Sequence, residues 1–229
     1  MKNSLGRRSL LKGLGIAGLG AFSGLLGNDS PVLAATSTNI SADDALDRLM
    51  EGNRRFTQQQ SEYPHQSLKR LQEVAYAQHP YATILSCADS RVPAEIIFDA
   101  GIGDLFDIRV AGNIVTPEVL GSLEYAVLQL DTPLIIVLGH ERCGAITAAV
   151  KGGTLPGSIG TLVAAIQPGI DLGEGVSDES IEKAVVANVA YQINAVKRNS
   201  PLITERALKN QLKIVGGRYD LDSGKVEII

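Results

Sequence analysis

The 229-residue chain has no tryptophan, and only two cysteines and three histidines. Two cysteines allow at most one disulfide, so a scaffold stapled by several is excluded. Basic residues form no block and the net charge is −4, a poor match to nucleic acid or anionic lipid. No internal repeat is visible. The apolar run from Gly13 to Leu26 is glycine-rich and too short for a membrane span.

That run follows Arg7-Arg8-Ser9-Leu10-Leu11-Lys12, a twin-arginine start, and precedes Val32-Leu33-Ala34, small residues suited to cleavage. Residues 1–34 therefore read as an export signal; an uncleaved anchor is the alternative. The twin-arginine route carries folded proteins, which suits a protein that takes up a metal before export. The expected destination is the periplasm or another extracytoplasmic compartment, with no membrane attachment once the signal is gone. The signal carries Lys2, Arg7, Arg8 and Lys12 against Asp29, so its loss moves the net charge from −4 to −7. Residues 35–229 remain, enough for one domain with its own core.

Periodicity divides this domain into alternating helices and strands. Ser41 caps a helix to about Gln58, and a second helix is expected over 66–78. Tyr81–Ser86 reads as a strand ending at Cys87, and Pro93–Phe98 as a helical turn. Leu105–Val110 is a second strand, ending at Ala111-Gly112-Asn113. Thr116 and Pro117 open a helix to Leu130. Leu134–Leu138 is a third strand, followed by Gly139-His140 and a helix over 145–150. Ile159–Ile166 is a short buried helix. Asp178–Arg198 is a long amphipathic one, with acids at its start and bases at its end. A short helix opens at Pro201. Leu212–Val215 is a fourth strand, and Lys225–Ile229 an edge strand after a turn at Asp222-Ser223-Gly224. The expected fold is α/β: one domain with a mostly parallel sheet of about four strands, a C-terminal antiparallel edge strand and flanking helices. Ligands in such sheets bind beyond the carboxyl ends of the strands, where Cys87, Asn113 and His140 stand.

Cys87 opens Cys87-Ala88-Asp89-Ser90-Arg91, and His140 and Cys143 lie in Gly139-His140-Glu141-Arg142-Cys143-Gly144. Two thiolates and an imidazole form a soft set suited to zinc, and three protein ligands leave a fourth position for water. An exported chain with two cysteines could instead join them. A disulfide, however, needs neither the neighbouring histidine nor the Asp-Ser-Arg run.

Cys-x-Asp-Ser-Arg at 87–91 and His-x-x-Cys at 140–143, with 53 residues from Cys87 to His140, resemble the β-class carbonic anhydrases. Met50-Glu51-Gly52-Asn53-Arg54-Arg55-Phe56 is similar to that family's first helix, and Gly121–Val127 to the helix before its histidine strand. The resemblance runs from about residue 43 to 220. It implies one Zn2+ per chain on Cys87, His140 and Cys143, with an Asp89–Arg91 pair beside it. It also implies Gln78 as a donor to the substrate oxygen, and Phe106, Ala111 and Tyr125 as walls of a CO2 pocket. Gly144 would allow close approach. The partners implied are CO2 and bicarbonate, and a second copy of the chain, as homodimer or higher even oligomer with the pocket at the subunit interface. The chain departs from the family at Val110, where Asn is usual, and at Gly216-Gly217-Arg218-Tyr219, where His-Gly-Trp is more usual. It also lacks the tryptophan used by members with a regulatory bicarbonate site.

The implied reaction is the reversible hydration of CO2. Zinc lowers the pKa of bound water to about 7. Asp89 accepts a hydrogen bond from the resulting hydroxide, and Arg91 holds Asp89 ionised and off the metal. If Arg91 lets go, Asp89 becomes a fourth ligand and closes the site. His65 and His79 are the spare imidazoles for proton relay. The competing functions are hydrolysis of carbonyl sulfide or carbon disulfide on the same fold, and a structural zinc dimer without catalysis.

Overall fold

A computed structural model describes residues 40–170 and 175–229; the expected signal at 1–34 lies outside them. Five strands form one sheet in the order β2-β1-β3-β4-β5. They are β1 (Ala82–Ser86), β2 (Leu105–Arg109), β3 (Leu134–His140), β4 (Lys213–Tyr219) and β5 (Val226–Ile228). β2, β1, β3 and β4 are mutually parallel, and only β5 runs antiparallel, on β4.

Every residue of β1 and β3 is buried, as expected of central parallel strands covered on both faces. Alternation along them feeds two cores. Ile84, Ile136 and Leu138 point to the side of α1 (Ala42–Thr57) and α3 (Ala94–Ile97), where they pack with Ala45, Leu49 and Ile97. Leu85, Ile135 and Val137 point to the side of α4 (Pro117–Leu128), α7 (Asp178–Asn199) and α8 (Pro201–Leu208), against Leu123, Val189, Val196 and Ile203. Each fully buried Leu or Ile contributes roughly 1.5–3 kcal/mol, so these layers fix the carboxyl edge of the sheet. A third cluster joins α5 (Gly144–Lys151), α6 (Ile159–Ile166) and α7 beside Cys87 and Cys143.

The Met50–Phe56 motif proves to be a structural stitch. Gly52 lets α1 approach so closely that a Cβ there would stand 1.9 Å from the carbonyl oxygen of Phe98. Buried Asn53 donates to the carbonyls of Ile97 and Gly224, and its Oδ1 accepts from the Val226 N–H. Arg55 pairs with the buried Asp99 at 2.7 Å.

The helix caps expected at Ser41 and Thr116 stand where the sequence puts them: their hydroxyls accept from backbone N–H groups in the first turns of α1 and α4. Ser177 does the same for α7. β3 runs two residues further than expected and α4 ends two earlier, and two elements differ more. α2 covers only Leu68–Glu73 and buries none of its residues; without an apolar face to pack, the helix does not propagate to Gln78. β4 is longer than expected, because its ladder with β3 continues through Gly216 and Gly217 to the pair His140–Tyr219. Both glycines fit tightly: a Cβ on Gly216 would lie 2.8 Å from Val189, and one on Gly217 3.1 Å from Leu138. Among the described residues, no helix is long and apolar enough to cross a membrane.

Candidate metal centre

The meeting of Cys87 with His140 follows from strand register. Ser86 at the end of β1 pairs with Leu138 of β3, so Cys87 stands level with Gly139 on a neighbouring strand about 4.8 Å away. Beyond His140, Arg142 adopts φ +49°. This left-handed residue turns the chain back so that Cys143 becomes the N-cap residue of α5. The sulfurs of Cys87 and Cys143 and a ring nitrogen of His140 lie within 4.8 Å of one another, all on buried residues. Both cysteines are free thiols.

His140 is oriented by its own turn. Its Nδ1 is 2.8 Å from the carbonyl oxygen of Glu141. A carbonyl only accepts, so Nδ1 carries the proton and Nε2 holds the lone pair. Nε2 is buried and has no hydrogen-bond partner, a costly position for a polar atom that nothing engages. Cys87 Sγ accepts the N–H of Gly112 at 3.3 Å. The Cys87 thiol is pushed down, first by the neighbouring Cys143 thiol and then by the Gly112 and Asp89 N–H groups, against the cost of burial. That of Cys143 is pushed up by the Cys87 sulfur and by burial. Two buried sulfurs this near resist a second negative charge unless a cation joins them. The donor set thus fits a soft divalent ion: two sulfurs, one buried lone pair and no competing proton donor on it.

Asp89 borders this group, with Oδ2 3.9 Å from His140 Nε2. Arg91 grips it with Nε and its backbone N–H on Oδ1, both at 2.9 Å, and Nη2 on Oδ2 at 2.8 Å. This fork, chiefly, holds the Asp89 carboxyl well below the usual carboxylate range. Arg109, at the end of β2, donates to the carbonyls of Cys87 (3.1 Å) and Asp89 (2.6 Å), fixing the backbone that carries both.

The loop after β2 is held from behind by α7. Asn188 donates to the Gly112 carbonyl at 3.0 Å, and Gln192 accepts from the Val115 N–H at 2.9 Å while donating to Asn188. Gly112 itself has φ +77°, and a Cβ there would lie 2.7 Å from Ile166 Cδ1. Arg109, Gly112, Asn188 and Gln192 escape a reading of the sequence. The available signal was a pair of amides four residues apart on the apolar stripe of α7.

Of the expected pocket residues, Phe106 and Tyr125 do not gather around the metal group of their own chain. Phe106 pairs in register with Thr83, four positions before Cys87 and so about 13 Å down the sheet. Tyr125, half exposed on α4, lies beside it, ring centroids 6.1 Å apart. Gln78 is exposed on the segment before β1. Ala111 adjoins Gly112 and is half-buried, and Gly144 is exposed with open space around it. His65 and His79 line a different cavity of about 260 Å³ with Arg48, Arg70 and Asp104, where His65 Nδ1 pairs with Asp104 at 2.8 Å.

A parallel α/β sheet with a Cys-His-Cys group placed for metal binding at its carboxyl edge, bordered by an aspartate in an arginine fork, is the arrangement of a catalytic type of ligand set. Residues 82–226 match the carbonic anhydrase family model. Carbonic anhydrase 2 of Mycobacterium tuberculosis is 42% identical over 181 residues, covering 77% of this chain and 87% of the relative. The carbonic anhydrase of Mycolicibacterium smegmatis is 38% identical over 184 residues, 79% and 89% of the two chains. Among solved structures, the β-carbonic anhydrase CcaA aligns with a TM-score of 0.65 at 27% identity, over 80% of this chain and 94% of that one. A Coccomyxa β-carbonic anhydrase in complex with acetazolamide aligns with a TM-score of 0.62 at 28% identity, over 80% and 86%. The chain belongs to the carbonic anhydrase family, in its β class. It is an enzyme of CO2 hydration, interconverting CO2 and bicarbonate.

Proposed function

We propose that the CO2 hydration runs on one zinc ion held by Cys87, His140 and Cys143, with Asp89 and Arg91 as the acid–base pair beside it. The observation that carries this reading is the convergence of three ligand atoms within 4.8 Å, one of them a buried and unpartnered imidazole nitrogen. Zinc in such a set leaves one position to solvent and lowers the pKa of the water there. Asp89, kept ionised by Arg91, accepts a hydrogen bond from the attacking oxygen nucleophile and aims its lone pair at CO2. With both carboxylate oxygens held by the guanidinium, Asp89 stays off the ion. Release by Arg91 would let the carboxylate take the fourth position and close the site.

The substrate pocket is completed, in this reading, by a second copy of the chain. Phe106, Tyr125 and Gln78 stand away from the metal group of their own chain, so a homodimer or larger even oligomer brings them to the neighbour's. The segment carrying Gln78 supports this, since it leaves Tyr63, Leu68 and Tyr76 mostly exposed. The pocket then offers apolar walls from Phe106, Ala111 and Tyr125 to a nonpolar substrate. The Gln78 amide donates to the oxygen on which charge develops, and Gly144 leaves room beside Cys143. Residues 1–34 act as a twin-arginine signal that delivers domain 35–229, already loaded, to the periplasm or an equivalent compartment without a membrane anchor.

Metal analysis with a thiol count on the full chain tests the core of this reading. One zinc and two thiols per chain are expected, and a disulfide would overturn it. Stopped-flow CO2 hydration should disappear in Cys87→Ser. Turnover of carbonyl sulfide without CO2 hydration would move the protein to the hydrolase reading, and zinc without either activity to the structural one.

A further inference from the structure

We propose that Arg218 is a positioning residue for the metal-binding turn: through Glu141 and Glu182 it holds the segment from His140 to Cys143 in the shape that aims both side chains at one point. The inference rests on the metal reading above and extends it to a residue on another strand.

Three observations converge on Arg218. First, it sits on β4 in register with Gly139, one residue before the proposed ligand His140. A Cβ on Gly139 would lie 2.7 Å from Val189 and 3.0 Å from Val185, so α7 presses directly on this part of the sheet. Second, the Arg218 guanidinium bridges two carboxylates: Nη2 donates to Glu141 Oε1, and Nε donates to Glu182 Oε2 of α7 at 2.9 Å. All three side chains are less than a third exposed, where such pairs are worth more than on the open surface. Third, both carboxylates also hold backbone N–H groups, Glu182 one in the turn and Glu141 one that ties the turn to the end of β4. Glu182 Oε1 accepts the N–H of Arg142 at 3.2 Å, the residue at φ +49°. Glu141 Oε2 accepts the N–H of Leu221 at 3.0 Å, while the Glu141 carbonyl accepts from His140 Nδ1.

The chain of contacts is therefore continuous. Arg218 fixes the Glu141 side chain, the Glu141 carbonyl fixes the imidazole, and Glu182 fixes the strained residue that delivers Cys143. The outer pair of Arg142 with Asp222, at 2.8 and 2.9 Å, is exposed on both sides and contributes less. Partners that orient a ligand from behind typically alter metal affinity 10–100-fold. Gly216-Gly217-Arg218-Tyr219, where the family more usually has His-Gly-Trp, thus acquires a role: glycine admits the neighbouring side chains, and arginine locks the turn.

The test uses the full chain loaded with zinc, and separately with cobalt(II). Arg218→Met is expected to lose zinc to excess chelator at least about 10-fold faster than the parent, and to shift the cobalt ligand-field bands. Arg218→Lys should recover part of the retention, and Glu182→Gln should lose several-fold. Lys213→Met, on the same strand as Arg218, removes an exposed pair with Asp43 of α1 and should leave both readouts at parental values. Parental zinc release and parental cobalt bands in Arg218→Met would overturn the inference, whatever its melting temperature. If that variant fails to fold, the same parental values in Glu182→Gln overturn it. A parent chain that takes up no metal at all overturns the zinc reading instead, and is seen before any variant is compared.

Discussion

The backbone N–H of Gly112 donates to the sulfur of Cys87 at 3.3 Å, across 25 residues of chain. This contact ties the end of β2 to the proposed ligand at the end of β1. It exists because Gly112 takes φ +77° and leaves no Cβ to strike Ile166. Gly112→Ala brings both backbone strain and a 2.7 Å contact, so a loss of about 1–3 kcal/mol is expected. Urea unfolding of the metal-loaded protein measures it, and faster zinc loss should accompany it.

Arg91 makes the fork that keeps Asp89 ionised and pointed along the rim of the ligand group. Arg91→Ala should retain zinc, since among the described residues the hydrogen bonds and the ion pair of Arg91 go to Asp89 and not to any of the three ligands. Its kcat/KM for CO2 hydration should fall at least about 100-fold. Unchanged activity with zinc bound would remove the pair from the mechanism.

Asn53 uses its amide three times within the buried seam between α1, α3 and β5. Asn53→Ala leaves two carbonyls and one N–H without those partners, at a cost of about 2–4 kcal/mol. The defect lies away from the metal group, so activity per folded molecule should hold while the denaturant midpoint falls.

Asp107 on β2 is pushed up to about 7 by burial, with Glu95 adding to the shift and Arg109 opposing it, and its Oδ1 has no hydrogen-bond partner. An acid whose folded pKa lies above its unfolded value near 4 binds more protons when folded, so it lowers stability as pH rises from about 4 to 7. Asp107→Asn should therefore unfold at higher urea than the parent at pH 8, by about 1–3 kcal/mol. The advantage should shrink toward zero near pH 4. Equal midpoints at pH 8 would show that the carboxylate is satisfied in the assembled protein.

Much of the fold was legible because its signals are local. Strands β1 and β3 announce themselves as short apolar runs, and the caps at Ser41 and Thr116 use side-chain oxygens placed next to their helices. The ligand set was legible for a different reason: cysteine and histidine are so rare here that each stands out, and Cys87, His140 and Cys143 stand at or just beyond the ends of apolar strands. Periodicity carries α2 past its observed end at Glu73, because it cannot tell whether an apolar face will find a partner. The sequence ends β4 early because glycine reads as a breaker, whereas here it is what the packing of Val189 and Leu138 requires. Arg109, Glu141, Asn188 and Gln192 were invisible because they act through backbone groups distant in sequence, where composition carries no trace.

Residue order alone determined the α/β alternation, the donor types available to a metal and the acid–arginine motif beside them, since these depend on side-chain chemistry and on short-range periodicity. Only the tertiary structure decided that two sulfurs and one imidazole nitrogen share a space less than 5 Å across, that the histidine offers Nε2 rather than Nδ1, and that Phe106 and Tyr125 lie away from the ligands of their own chain. Those outcomes depend on strand register and on side chains pressing from α7 and β4, interactions that arise only when segments distant along the polypeptide are packed together.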